Sequence, residues 1–406
     1  MSKKGDDERA GSPLERRDAR SGSTNRRRFL ATAGSAALVG VAGCSGGGTN
    51  GESGGTDQVA FGTLPIAAVA EVFVADEMGY FEDRNIELDI QRIQDFGTAV
   101  PSLASGDLDV ATGSITGGIA NAINGGQPIQ VIADQTQYWS NQPAANRFWV
   151  RDELYSEGMS VTDLPDSFTY AVNSQGGSLD YLLGRLLQRV GLDLDDVTIQ
   201  QMPFRQMVQS MAEGDIDVCS IPDPIGLQMR SEAGAGQLIY GSQLAPEMQI
   251  GVYLAGSQFT EDRSDVARRW LEAYLLGLRD YYEMGGYQDE EVAGIISDAI
   301  DVPAGAIRSS VPSLPHKNGR VNADSLMNMQ EYYVCRGFAD ETVAASELIT
   351  EQPLEAALEE VGELDSAEAE PSVETITEWR GNAPNPWPPV GEMIPPEDFP
   401  DPSLCE

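Results

Sequence analysis

One stretch of this chain occurs twice. Val100-Pro101-Ser102-Leu103-Ala104-Ser105-Gly106-Asp107-Leu108-Asp109-Val110 aligns without a gap on Val208-Gln209-Ser210-Met211-Ala212-Glu213-Gly214-Asp215-Ile216-Asp217-Val218, at an offset of 108 residues. Each copy reads as the end of a helix, a glycine stop, an acidic corner and a buried strand. Chance convergence on a common helix–turn–strand corner is one account of the pair. Two similar α/β lobes in one chain is the other. No shorter period recurs, which excludes a solenoid.

The surrounding pattern extends the motif in both directions. Strands are expected at Val59–Gly62, Ile86–Ile93, Leu108–Thr112 and Ile129–Ala133. Helices are expected between them at Ala67–Tyr80, Gly97–Ser105 and Ser114–Asn124. A second series follows from Phe148, with strands at Thr169–Asn173, Val197–Gln201 and Ile216–Ser220. Its long helix shows one apolar face, Leu179, Leu182, Leu183, Leu186, Leu187 and Val190, ended by Gly191. Strands that alternate with helices predict a mostly parallel sheet with helical connections. The chain then returns through a strand at Val252–Ala255 and a helix whose face is Val266, Trp270, Ala273, Tyr274, Gly277 and Tyr281. Later helices are expected near 290–299, 325–336 and 373–379, and from Asn382 a tail rich in Pro and acid follows.

Charge narrows the function. The chain of 406 residues carries a formal net charge of -38. Residues 1–43 hold nine Lys/Arg and five Asp/Glu, so the rest holds 17 basic against 59 acidic residues, with Lys317 its one lysine. Such a surface repels nucleic acid and anionic lipid. The acids are spread through periodic apolar segments, which fits a solvated surface adapted to high salt, as in a halophilic archaeon, better than a disordered tail. The cysteines Cys44, Cys219, Cys335 and Cys405 form no close pair, and His316 is the single histidine. A metal cluster, a resident cofactor or a histidine-based triad is therefore not expected. An exported chain permits disulfides, and a Cys335–Cys405 bond would pin the tail.

The N-terminus carries an address. Arg26-Arg27-Arg28-Phe29-Leu30 precedes a small apolar stretch ending at Ala42. It resembles a twin-arginine export signal, with Asn25 in place of the usual Ser/Thr. Val41-Ala42-Gly43-Cys44 resembles a lipoprotein processing box, with Cys44 taking the lipid, and the Gly/Ser-rich run to Thr56 reads as a flexible linker.

Four blocks carry a family resemblance. Gly62-Thr63-Leu64-Pro65, continued by Ala75-Asp76-Glu77-Met78-Gly79-Tyr80-Phe81-Glu82, resembles the opening of ABC-importer binding proteins for nitrate, alkanesulfonates, taurine and thiamine-pyrimidine precursors. Leu103–Val110, Ala171–Ser178 and Ala212–Val218 are similar to that family's later blocks, in order, over roughly residues 58–285. The resemblance implies an α/β, type II periplasmic-binding-protein fold, with two lobes joined by two crossovers and a ligand between them. Crossovers near Arg147–Val150 and Met248–Val252 would give lobe 1 as 57–148 plus 249–381 and lobe 2 as 149–248. The implied partners are a small polar ligand, an ABC permease and ATPase, and the membrane through the anchor. Nucleic acid is not among them, and a monomer is expected.

Strand C-termini and helix N-termini are where such a fold holds its ligand. In lobe 1 these positions are Thr63, Leu64, Pro65, Gly97, Thr98, Ser114, Ile115 and Thr116. In lobe 2 they are Ser174, Gly176, Gly177, Ser178 and Asp223. Ser114 and Ser178 equally suit plain helix caps, and Asp223 between two prolines equally suits a turn. Trp139, after Tyr138, would wall the cleft or simply be core. Arg205 would suit an anion, and Asp134 or Asp223 a cation. Rival readings are a pyrimidine-precursor synthase-like enzyme and a sensory binding protein serving a receptor. The first needs a histidine and clustered cysteines near the site, whereas the chain has one loop histidine and dispersed cysteines.

Overall fold

The computed structural model describes residues 55–93, 96–140 and 142–388. The export signal, Cys44, Cys405 and most of the acidic tail lie outside the described residues. Cys335 is disulfide-bonded, but the expected bond to Cys405 falls on that tail. Cys219 is a free, buried thiol.

Two five-stranded sheets form the frame. The strands are β1 (Asp57–Thr63), β2 (Ile86–Arg92), β3 (Val110–Gly113), β4 (Ile129–Gln137), β5 (Asn146–Val150), β6 (Phe168–Val172), β7 (Val197–Gln201), β8 (Val218–Pro222), β9 (Gly236–Tyr240) and β10 (Gln249–Gly256). The first sheet runs β2-β1-β3-β10-β4 and the second β7-β6-β8-β5-β9. In each, a parallel trio is followed by an antiparallel strand that has come from the other sheet: β10 beside β3 and β4, β5 beside β8 and β9. The parallel strands are linked by helices α1 (Ala70–Glu77), α2 (Ala99–Ser105), α3 (Gly117–Asn124), α4 (Ser178–Val190), α5 (Phe204–Glu213) and α6 (Gly226–Ala233).

The sequence repeat is the same corner built twice. Gly106 (φ +80°) and Gly214 (φ +81°) both take the left-handed conformation that ends α2 and α5. Asp109 and Asp217 then fasten the next strand to the strand that opens the parallel trio in the chain, β1 and β6. The Ala60 N–H donates to Asp109 Oδ2 at 3.0 Å, and the Thr169 N–H donates to Asp217 Oδ2 at 2.8 Å. The other oxygen of each pairs with an arginine that follows the exchanged strand: Arg263 at 2.6 Å and Arg151 at 2.8 Å. Two acidic corners with equivalent partners are more than a chance match, and they make two topologically equivalent lobes.

The crossings differ in place from the expectation. The chain leaves the first sheet after Gln137 and joins the second at Asn146. It returns between Tyr240 and Gln249. Arg147 to Val150 therefore stand within β5, and Gln249 to Val252 within β10, with Met248 just before it. Both strands are buried along their whole length and belong to the sheets rather than to linkers. The crossings run side by side: Tyr138 N–H donates to Met248 O (2.8 Å) and Ser242 Oγ to Gln142 O (2.7 Å).

The C-terminal third packs on lobe 1 and reaches lobe 2. Helix Ser264–Met284 lies on α1, and helix Gln352–Val361, absent from the expectations above, lies on Ser264–Met284. From helix Ala323–Cys335, Tyr333 donates to Ile115 O in lobe 1 (3.1 Å), while Tyr332 donates to Asp180 O in lobe 2 (3.0 Å). The segment before it behaves alike. Val311 N–H donates to Asp223 of lobe 2 (2.9 Å), and Ser313 O accepts from Tyr281 of lobe 1 (2.8 Å). This part of the chain is a strap across both lobes.

Candidate functional site

The main cleft opens where the two sheets face each other, beside the crossings. Its non-atom space, open solvent at the mouth included, is ≈ 860 Å³. Lobe 1 supplies Leu64, Ile66, Phe96, Ser114 and the end of β4, Gln135 to Tyr138. Lobe 2 supplies Asn146, Asn173, Ser178, Leu179, Phe204 and Asp223. A third wall, Pro312-Ser313-Leu314, comes from the strap, with Tyr287 beside it.

Of the expected positions, Leu64, Ser114, Ser178 and Asp223 line the cleft. Thr63, Pro65, Gly97, Thr98, Ile115, Thr116, Trp139, Ser174, Gly176 and Gly177 are not among its lining residues. Thr63 is buried at the end of β1 and donates to Leu64 O (3.0 Å). Gly97 and Thr98 sit in a helical turn of which only Phe96 reaches the cleft. Thr116 caps α3 by accepting from the Ile119 N–H (3.2 Å). The Gly117 N–H donates across the lobes to Gly176 O (2.9 Å), so these two loops meet each other. Phe338 of the strap lies over both. A Cβ on Gly117 would stand 2.5 Å from Phe338 O, and one on Gly176 2.8 Å from its ring, so close approach explains both glycines. Ser174 is half-buried and its hydroxyl donates to Gln175 O (3.5 Å), and Gly177 precedes α4.

Trp139 stands behind the third wall. Its indole N–H donates to Leu314 O (2.7 Å) and its ring stacks on His316 at 6.1 Å. Burial holds His316 at a pKa of about 4, so it is neutral. Arg205 is not among the lining residues.

Two buried carboxyls lie near the cleft, with different surroundings. Asp134 accepts from Gln249 (2.7 Å), Gln137 (3.0 Å) and the His316 N–H (2.6 Å), which ties β4, β10 and the strap together. Burial raises its pKa to about 7 against those donors. Asp223 pairs with Arg147, and both side chains are essentially sealed, at 0% and 2% exposure. Its Oδ2 also takes the Val311 N–H, while Oδ1 has no hydrogen-bond partner among the described residues. Burial raises the Asp223 pKa and Arg147 opposes it. Two further lining residues, Tyr138 and Ser313, each bury a hydroxyl that has no partner among the described residues. Buried polar groups are nearly always bonded, so these three atoms are exceptions, each shut off from solvent behind the cleft lining.

The lining offers little for catalysis. Asp223 is its one ionisable group besides tyrosines among the described residues, and its ion pair is already formed. Cys219 is buried on β8, and burial drives its thiol up. No group of residues suited to a metal ion occurs among the described residues. No described helix is long and apolar enough to cross a membrane.

The fold is similar to that of several solved proteins. The periplasmic nitrate-binding protein NrtA from Synechocystis PCC 6803 superposes with a TM-score of 0.63 at 14% identity, over 79% of this chain and 92% of that one. The periplasmic aliphatic sulphonate binding protein SsuA from Escherichia coli gives 0.55 at 16% identity, over 73% and 92%. The desulfurization enzyme DSZB gives 0.53 at 16% identity, over 75% and 99%. The architecture is thus that of the periplasmic binding proteins, an α/β fold that binding proteins and an enzyme share. Among curated proteins no sequence matches significantly. The model of the NMT1-like family matches residues 52–276, more than half of the chain, and the protein belongs to that family.

Proposed function

We propose that this protein is the solute-binding component of an ABC importer, catching a small molecule between its lobes and presenting it to a permease and its ATPase. The observation that carries the reading is the cleft itself. It lies between two equivalent lobes, beside two adjacent crossings that suit a hinge, and its lining is neutral apart from Asp223, which is paired with Arg147. The fold likeness to nitrate- and sulphonate-binding proteins supports the same reading. The likeness to DSZB keeps an enzyme in view, but the cleft lining holds no histidine, cysteine or lysine among the described residues to run a reaction.

Export through Arg26-Arg27 and a lipid on Cys44 would hold the protein on the outer face of the membrane, with the Gly/Ser-rich run to Thr56 as its tether. Cys44→Ala should release the protein from membranes into the medium, and unchanged retention would remove the anchor. Ligand capture is tested by small-angle scattering with and without a molecule that raises the melting temperature. A compaction on binding is expected. A tight ligand that leaves the scattering profile unchanged would contradict lobe closure.

A further inference from the structure

We infer that the cleft is built for an uncharged small molecule that presents N–H or O–H donors, and that it is closed to simple oxyanions; this deepens the reading of the cleft as a solute site and rests on it.

The first ground is the missing counter-charge. No Lys, Arg or His lines the cleft among the described residues. Positions 94, 95, 141 and 389–406 contain none in the sequence either. Arg147 stands on β5 next to the lining residue Asn146, but its guanidinium is committed to Asp223 and to Gln237 (3.1 Å). An anion entering here would be desolvated without a cation to meet it.

The second ground is that two of the helix N-termini, those of α3 and α4, are hemmed in from within. At α3 the Gly117 N–H is taken by Gly176 O and the Ile119 N–H by Thr116 Oγ1, and Phe338 covers the place where an anion would approach. At α4 the first turn already holds a buried acid. Asp180 accepts from the Gly176 N–H (2.8 Å) and from the Tyr332 hydroxyl (3.2 Å), with Arg336 at 3.8 Å. A carboxyl group in the first turn thus already stands beside the N-terminus that an oxyanion would use and competes with it there.

The third ground is the polarity of what remains. Gln137 turns its amide nitrogen into the wall, toward Asp134 (3.0 Å) and Arg320 O (3.3 Å), and Gln135 turns its own toward Ala68 O. The backbone carbonyls of Arg320 and Ala68 are acceptors only, which fixes the two amide orientations and leaves the side-chain carbonyl oxygens for a ligand. These carbonyls call for donors on the ligand, and the rest of the polar lining, with Asn146, Asn173 and the Tyr138 and Ser313 hydroxyls, carries no positive charge to offset the desolvation of an oxyanion.

Three molecules of one shape and different charge separate the possibilities. Benzamide, benzoate and benzamidine are titrated into the mature protein by calorimetry in high-salt buffer, with nitrate and ethanesulfonate beside them. Benzamide should bind at least about tenfold more tightly than benzoate, and nitrate and ethanesulfonate should give no heat. Asn173→Arg, which places a guanidinium at the lining, should reverse the order of benzamide and benzoate. Benzoate, nitrate or ethanesulfonate binding the unmodified protein as tightly as benzamide overturns the inference while leaving a solute site. Benzamidine binding best overturns the assignment of an uncharged ligand. If no probe binds and no small molecule is retained on purification, the reading of the cleft as a solute site fails first.

Discussion

Lobe 1 is packed with aromatic rings and lobe 2, on one face of its sheet, with methionine. In lobe 1, Trp270 is fully buried among Tyr253, Tyr274, Phe61 and Phe81, stacked on Tyr274 at 6.0 Å. In lobe 2, β8 and β6 bury Met202, Met207, Met211 and Met229 around Trp149 and Cys219 beneath α5 and α6. The strand order and the Asp–Arg corners are the same in both. Equivalent frames therefore do not require equivalent interiors. Rings lock one arrangement, whereas flexible thioethers fill irregular space and adapt. Lobe 1 also carries the C-terminal helices, so its core is continuous with a larger body.

The sharpest way to break this contrast is to change each interior. Trp270→Ala should cost about 3–5 kcal/mol, because both the ring and its four aromatic contacts go. Met211→Leu, which conserves volume, should cost less than about 1.5 kcal/mol if lobe 2 is the adaptable one. Urea denaturation measures both, and equal losses would erase the distinction.

Acid–base behaviour separates the lobes next. In lobe 1, burial raises Glu71 to about 8 and Asp134 to about 7 from ordinary values of 4.5 and 3.8. Glu71 accepts from the Tyr253 hydroxyl at 2.5 Å, and among the described residues no cation forms an ion pair with either acid. The folded state keeps these protons to higher pH than the unfolded state. The stabilisation is therefore complete below the ordinary values and is lost as pH rises through about 7 and about 8. The melting temperature should fall across that window, and Glu71→Gln should flatten the fall. An unchanged slope in that variant would show that Glu71 is not the group responsible.

The corners give the next smaller effects. Asp217→Asn and Asp109→Asn each remove a charge from an arginine pair and weaken a strand-to-strand bond, at about 1–3 kcal/mol each. Matching losses are expected because the geometry matches. Gly214→Ala and Gly106→Ala should each cost about 1–2 kcal/mol for the left-handed conformation. Gly106→Ala should be the worse of the two, since its new methyl meets the Gln258 side chain, whereas that of Gly214 stays 3.7 Å from Arg151. Thermal melts compare the four.

Much of this frame is legible in the sequence. The corner at Gly106 and its copy at Gly214 predict two equivalent units, because a glycine stop and a buried strand leave local signs. The strand expected at Val197–Gln201 has the same ends in the fold. The helix expected over Ala67–Tyr80 instead opens as a short 3-10 turn and ends at Glu77, with Gly79 beyond it. Of the site, Leu64, Ser114, Ser178 and Asp223 are reachable because strand ends and helix starts are visible locally. Gln135, Gln137 and Asn146 are not, since a polar residue in a strand looks the same whether it faces a cleft or solvent. Pro312-Ser313-Leu314 reads as an ordinary turn, and only the fold brings it back across the lobes. Leu354, Ala357 and Leu358 stand at helical spacing and are the signal that could have revealed the helix Gln352–Val361.

The central claim is that the cleft between the lobes holds one small, uncharged solute. Native mass spectrometry of the protein purified without denaturation tests it most directly. The account predicts a single bound molecule that carries no charge of its own in solution and is lost from a Ser178→Tyr variant that fills the cleft. A bound nitrate or sulfonate, or a molecule whose retention is untouched by that variant, would contradict it.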